Sequence, residues 1–330
     1  MVANETYYGG RPRINRFELH AYPQSKQLVK ALKSNALSAA ADLSRSEATE
    51  IDSLEYVNDS YPIDNGIYAL LNTSNGVFHD KAVRKAIQLA LDTDAIRSSA
   101  GENVRPLDLP FIGDQVTSAA LPKPVLQDTK AARKQLDDAG WKFSDDKWKK
   151  DKAELGFTIT TIQNDQYVRT ANEIARQLRD IGIGVKIRVV DDRLPNANFV
   201  GDVLQRRNFE MLVYELPIGA DPDVYAYWHS SQVGDNGYNF TSYRDDIADA
   251  ALASARDRTN SRLRDEKYAL FARQWQADVP AIGLYQQVVN YLHKPSTDSI
   301  ADDARFVTSS DRYANVRNWT VSSQAVYKTP

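Results

Sequence analysis

The sequence has no cysteine. Disulfides, thiolate zinc sites, iron–sulfur clusters and cysteine nucleophiles are excluded, while the compartment stays open. Histidine is scarce, with only His20, His79, His229 and His293. None forms the H-x-x-x-H pair that sets two imidazoles on one helix face, which argues against a transition-metal enzyme. An excess of one charge is missing too: 41 basic and 44 acidic residues are interspersed, for a net charge of −3. A nucleic-acid binder usually shows a basic excess or face, so nucleic acid is not an expected partner. No apolar run approaches the roughly 20 residues that span a bilayer. The opening "MVANETYYGG" lacks the apolar centre of a signal peptide. Phosphate-cradling glycine loops are absent, since the two glycines of "IGIGVK" follow a helix rather than precede one. There is no Walker lysine motif and no G-x-S-x-G elbow.

What is present is an ordinary globular balance over 330 residues, 42% hydrophobic and 26% charged. That length predicts two domains or lobes. The run "GIYALLN" (66–72) reads as a buried strand ending in a turn. "FHDKAVRKAIQLALDTDAIRSSAG" reads as one amphipathic helix, capped by Asp80, with Val83, Ile87 and Leu91 on one face and Gly101 past its end. "DTKAARKQLDDAGW" is a second helix, opened by Asp128 or Thr129 and closed by Gly140. Strands follow at "GFTITTIQN", 185–190 and "FEMLVYEL", with a helix between the first two. Two helices separated near Asn260 precede the strand-like "AIGLYQQVVNYLH". Further strands are expected at 12–22 and near Phe306 and Val316. The basic "KWKKDK" (147–152) reads as a solvated turn rather than a phosphate patch. Alternating strands and helices from about 66 to 290 argue for an α/β sheet covered by helices.

Acid pairs such as Asp92/Asp94, Asp137/Asp138 and Asp191/Asp192 read as caps or solvated faces. A glycosidase needs two carboxylates facing each other, and nothing selects such a pair here. The stretch "GADPDVYAYWHSSQ" (219–232) is denser. Asp221 before Pro222 is a helix start, and Asp223 suits the positive end of the dipole. A helix over 222–229 would set Val224, Tyr225 and Trp228 on one face. That face is either core packing or the wall of a ligand cleft at a strand end.

Five stretches in order resemble one family. They are "YYGGRPRINRFELHAY", "FHDKAVRKAIQLALDTDAI", "AARKQLDDAGW", "ANEIARQLRDIGIGVKI" and "FEMLVYELPIGADPDVYAYWHSSQ" with "GYNF" after it. Together they resemble the extracytoplasmic solute-binding proteins of ABC transporters, in the oligopeptide/dipeptide/nickel-binding family (family 5). The resemblance implies a periplasmic-binding-protein type II-like, two-lobe (Venus-flytrap) α/β architecture without catalysis. It implies an incomplete first lobe over 1–68 and 290–330, and a second, ligand-closing lobe over 69–289. Family members carry a long region before the first of these stretches, so the chain is expected to be the C-terminal portion of such a protein. Its expected partners are a peptide or small solute and ABC permease subunits, with no cofactor and no metal. Its expected place is extracytoplasmic, periplasmic or at the cell surface, and membrane-associated as in a lipoprotein, with the signal or anchor outside this chain.

Dipeptide- and oligopeptide-binding relatives place an aspartate before the D-P-D turn to meet the ligand's α-ammonium. Here the equivalent position is Ile218 or Gly219, and neither can serve. Glu215 is the nearest acid that could, while Asp221 matches the turn and reads first as a helix cap. The candidate ligand-binding residues are therefore Tyr214, Glu215, Asp221, Tyr225, Trp228 and Asn239. A nickel or metal-chelate binder of the same fold would rest on His229 and His293. A hydrolase is the remaining alternative.

Overall fold

A computed structural model describes residues 1–51, 55–234, 236–301 and 304–321. The chain divides into two compact units, Asn65–Gln286 and Met1–Asp64 with Gln287–Pro330. The strand Ala281–His293 contributes its first half to one and its second half to the other.

The unit Asn65–Gln286 is built on the strand Asn65–Leu71, in which every residue is buried. A continuous apolar run does this because both faces of the strand are covered. Ile67, Ala69 and Leu71 face one core, with Val83, Ile87, Ile174 and Leu178. Tyr68 and Leu70 face the other, with Leu212, Trp228, Phe271 and Trp275. The two-residue period thus divides one strand between two helix layers. On one side Asn65–Leu71 pairs antiparallel with Met211–Pro217, and on the other with Ala281–Tyr285. Met211–Pro217 then pairs parallel with Gly156–Ile162, which pairs parallel with Gly184–Val190.

Local chemistry sets the boundaries. Asp80 accepts from the Ala82 N–H and opens the helix Lys81–Ala90. The single helix expected over 80–100 is instead two. Asp92 accepts from the N–H groups of Asp94 and Ala95 and starts a new helix, Thr93–Ala100. An aspartate carboxylate competes for the backbone and favours the cap over the helix interior. Asp128 caps Thr129–Asp138 through the Ala131 N–H, and Gly140 past its end takes φ +88°.

The "KWKKDK" stretch is also corrected. Lys147–Lys150 is the middle strand of a small antiparallel sheet with Lys142–Ser144 and Ala153–Glu154. Trp148 is buried and its indole N–H donates to the Ile181 carbonyl at 2.9 Å. One inward tryptophan decides the strand, with Lys147 and Lys149 on the opposite face.

In the unit of Met1–Asp64 and Gln287–Pro330, the strand half Val288–His293 lies between Ala39–Ala41 and Val57–Pro62, antiparallel to both. Leu32, Leu43, Ile51, Tyr56 and Leu292 form its core. Phe17, Tyr22, Tyr291, Tyr313 and Trp319 help to line a cavity of about 880 Å³ within this unit. The strand expected at 12–22 is reduced to one bridge, Arg16 to Val2. The tail strands expected near Phe306 and Val316 are a single bridge to Ile63 and a 3-10 turn, Val316–Asn318.

Candidate functional site

The parallel strands Gly156–Ile162 and Met211–Pro217 end at one edge of the sheet. The antiparallel register brings the start of Asn65–Leu71 to that edge, with Asn65 opposite Pro217 and Ile67 opposite Glu215. Tyr285 arrives from the other side, also opposite Ile67. In open α/β sheets, ligands bind beyond the carboxyl ends of the strands.

Glu215 is half-buried here. Its Oε2 accepts from Asn65 Nδ2 at 3.1 Å and from the Tyr167 hydroxyl at 3.0 Å. Tyr167 stands in the first turn of the helix Asp165–Asp180, which Asn164 caps. Burial, then the Glu215 carboxylate, pushes the Tyr167 phenol far up, so it stays a proton donor. Burial likewise raises the Tyr285 phenol, whose oxygen lies 2.9 Å from Thr170 Oγ1. The half-buried Tyr214 ring lies 5.1 Å from Phe199 and 6.5 Å from Tyr167, centre to centre. Burial, then Glu215, raises its phenol. The sequence reading names Tyr214 and Glu215; Asn65 and Tyr167, which it does not name, reach Glu215 through the fold.

The D-P-D stretch follows. Asp221 is exposed, accepts from the Asp223 N–H at 2.9 Å and pairs with Arg264. The Arg264 guanidinium holds its carboxyl below the usual carboxylate range. Asp223 accepts from the Tyr225 N–H and pairs with Arg256 at 2.8 Å. These two Asx turns take up the first backbone donors, so the expected helix over 222–229 shrinks to Tyr225–Trp228. His229 is already extended. Tyr225 is half-buried, with His229 stacked 4.0 Å from it and Arg256 4.4 Å from its centre.

Trp228 and Asn239 lie deeper, and both are 0% exposed. Trp228 meets Trp275 and Tyr68 edge to face, with centres 5.5 and 5.9 Å away. The Asn239 amide donates to the carbonyls of Trp228, His229 and Tyr243, and its oxygen accepts from Thr241 Oγ1 and the Tyr243 N–H. That exhausts the bonding capacity of an asparagine side chain. The candidates therefore split. Tyr214 and Glu215 sit at the strand edge, Asp221 and Tyr225 on the turn and short helix after it, and Trp228 and Asn239 inside the core.

The two histidines weighed for a metal lie in different units. His229 Nδ1 accepts from the Ser231 N–H, and His293 lies 2.9 Å from Asp59. Among the described residues, no group of three or more His, Cys, Asp or Glu could hold a metal ion. None of the described helices is long and apolar enough to cross a membrane.

Against known proteins, the model of the bacterial extracellular solute-binding proteins, family 5, matches residues 1–238. The chain belongs to this family. The oligopeptide-binding protein AppA of Bacillus subtilis is 26% identical over 97% of the chain, which spans 58% of that relative. The structure of AppA in complex with a nonapeptide superposes with a TM-score of 0.77 at 22% identity, covering 98% of this chain and 63% of that one. NikZ from Campylobacter jejuni in complex with Ni(L-His) gives 0.76 at 22% identity, covering 97% and 64%. At these identities the structural likeness is one of fold, and it bears out the expected α/β, periplasmic-binding-protein type II-like class.

Proposed function

We propose that the chain is the solute-binding part of an ABC importer that works outside the cytoplasm. It would hold a peptide or peptide-like solute and present it to the permease subunits, without catalysis. Family membership over residues 1–238 carries this reading. The relative named as oligopeptide-binding, whose structure holds a nonapeptide, supports a peptide over other solutes. We take the unit Asn65–Gln286 as the lobe that carries the solute contacts, through Tyr214 and Glu215, with Asp221 and Tyr225 flanking them. Trp228 and Asn239 would shape this wall from beneath. Aromatic walls with few polar anchors suit solutes whose affinity comes from enclosure.

The test is native mass spectrometry of the chain, and of a longer form extended to the relatives' length, against a pool of short peptides and against Ni(L-His). A peptide adduct supports the reading. An adduct with Ni(L-His) alone would replace it with the chelate reading. Peptide cleavage abolished by one carboxylate substitution would replace it with a hydrolase.

A further inference from the structure

The chain holds three Asn–Gly pairs, Asn65–Gly66, Asn75–Gly76 and Asn236–Gly237. An asparagine before glycine is open to attack on its own side chain. Glycine has no Cβ, so its backbone nitrogen can swing towards the asparagine Cγ. The fold treats the three pairs differently. Asn65 and Gly66 are both buried, and Asn65 Nδ2 donates to Glu215. A Cβ at Gly66 would meet Tyr68 and Leu107 within 2.6 Å, so nothing there can swing. Asn236 is exposed, but the attacking nitrogen is tied: the Gly237 N–H donates to the Gly234 carbonyl at 3.0 Å. Asn75 and Gly76 are both exposed. The Asn75 side chain caps nothing, and among the described residues the Gly76 N–H has no acceptor. A Cβ at Gly76 would meet only Glu210 Oε1, at 3.5 Å.

We propose that Asn75 is a self-modification site, at which the folded chain loses an amide to water. Asn75 is extended, with ψ 154°, so this angle must rotate before attack. The Gly76 nitrogen then gives its proton to a solvent base and bonds to Asn75 Cγ. The Cγ–Nδ2 bond breaks, and ammonia leaves with a proton from water. Water opens the resulting succinimide at either carbonyl, giving aspartate or an isoaspartyl link. Both products add a negative charge near Glu210, which already holds the Thr158 N–H at 2.8 Å. The isoaspartyl link also adds a methylene to the main chain. It does so three residues before Phe78, which is fully buried and whose carbonyl accepts from Arg84. The change therefore strikes the joint between the strand Asn65–Leu71 and the helix Lys81–Ala90.

The experiment holds the chain at mildly alkaline pH, folded and in urea, and follows the three pairs by peptide mapping with mass spectrometry. In the folded chain Asn75 should convert first. Asn236 should lag by roughly fivefold, the worth of one hydrogen bond on the attacking nitrogen. Asn65 should convert only as fast as the whole unit opens. In urea the three should convert at similar rates. Asn75→Gln needs a larger ring and should lose the early conversion. Converted wild type should melt a few degrees below fresh wild type, while Asn75→Gln held for the same time should melt unchanged.

Folded rates in the same proportion as in urea would overturn the proposal, as would Asn236 leading. So would an intact Asn75 after the urea sample has converted. Conversion at Asn75 with unaltered melting would overturn the consequence drawn for the strand–helix joint.

Discussion

Two carboxylates mark opposite ends of the same central strands, and they are treated differently. Asp278 sits where Asn65–Leu71 ends, just before the strand that begins at Ala281 opposite Leu70. It accepts from the Lys81 ammonium, the Tyr243 hydroxyl and the Gln274 amide. Beside it Arg84 is buried and donates to the carbonyls of Phe78, His79, Asp278 and Val279. Tyr243 is tied in turn to Asn239, and Thr73 to Thr241. Asp278 and Arg84 are each answered by other parts of the same unit. The open depression there, about 610 Å³, holds no uncompensated acid at Asp278. At the other end Glu215 has two neutral donors and no cation. The first arrangement fixes a fold. The second gives its carboxylate neutral donors alone among the described residues.

The largest expected effect comes from the core that joins these ends. Trp228 is fully buried against Tyr68 and Trp275. Trp228→Ala should cost about 3–5 kcal/mol in urea unfolding. Trp228→Phe should cost less and leave solute affinity within twofold of wild type. A large loss of affinity in a well-folded Trp228→Phe would place this residue in the solute contact after all and undo the division between the two ends.

Asp278→Ala should come next. It leaves Lys81, Tyr243 and Gln274 without their shared carboxylate. The cost should be about 2–3 kcal/mol, discounted because Lys81 is half-exposed. Glu215→Gln should change stability by less than about 1 kcal/mol. If Glu215→Gln destabilised as much as Asp278→Ala, both acids would be structural and the contrast would fall.

The pH dependence separates the two ends again. Burial pulls the Asp278 carboxyl upward, but Lys81, Tyr243 and Gln274 outweigh it and leave it below the ordinary range. A carboxyl depressed in the folded state binds its proton less readily there than when unfolded. The stability it contributes is complete above the unfolded value of about 4 and is lost as pH falls through the folded one. Unfolding followed between pH 7 and 3 should steepen below about 4, and Asp278→Asn should flatten that limb. An unchanged acid limb in Asp278→Asn would mean that other acids set it, for example Glu173 or Asp311, which are depressed too.

The sequence was readable wherever one residue type decided the outcome locally. The apolar run of Asn65–Leu71 could only be a strand covered on both faces, and Asp80 and Asp128 could only cap. Reading failed where a single residue outvoted a pattern. Asp92 split a periodic helix, and Trp148 turned a lysine run into a strand. The site was half visible for a different reason. Tyr214 and Glu215 are neighbours in sequence, but Asn65 reaches Glu215 across 150 positions and Tyr167 across 48. Those meetings depend on strand order, which neither composition nor period encodes. Asn239 stands in an aromatic stretch that could line a cleft, and sequence does not show that its five hydrogen bonds are all internal.

The smallest expected effect belongs to Asp221, which lies in sequence between the strand edge and the core residues. Its carboxylate holds the Asp223 N–H and pairs with Arg264, and its side chain is 58% exposed. A solvent-screened pair and one Asx turn are worth about 0.5–1 kcal/mol together. Asp221→Asn keeps the turn and removes the charge, so it should cost less than Asp221→Ala. Urea unfolding of both variants measures this directly. Equal costs would mean that the Arg264 pair, not the turn, carries what Asp221 contributes.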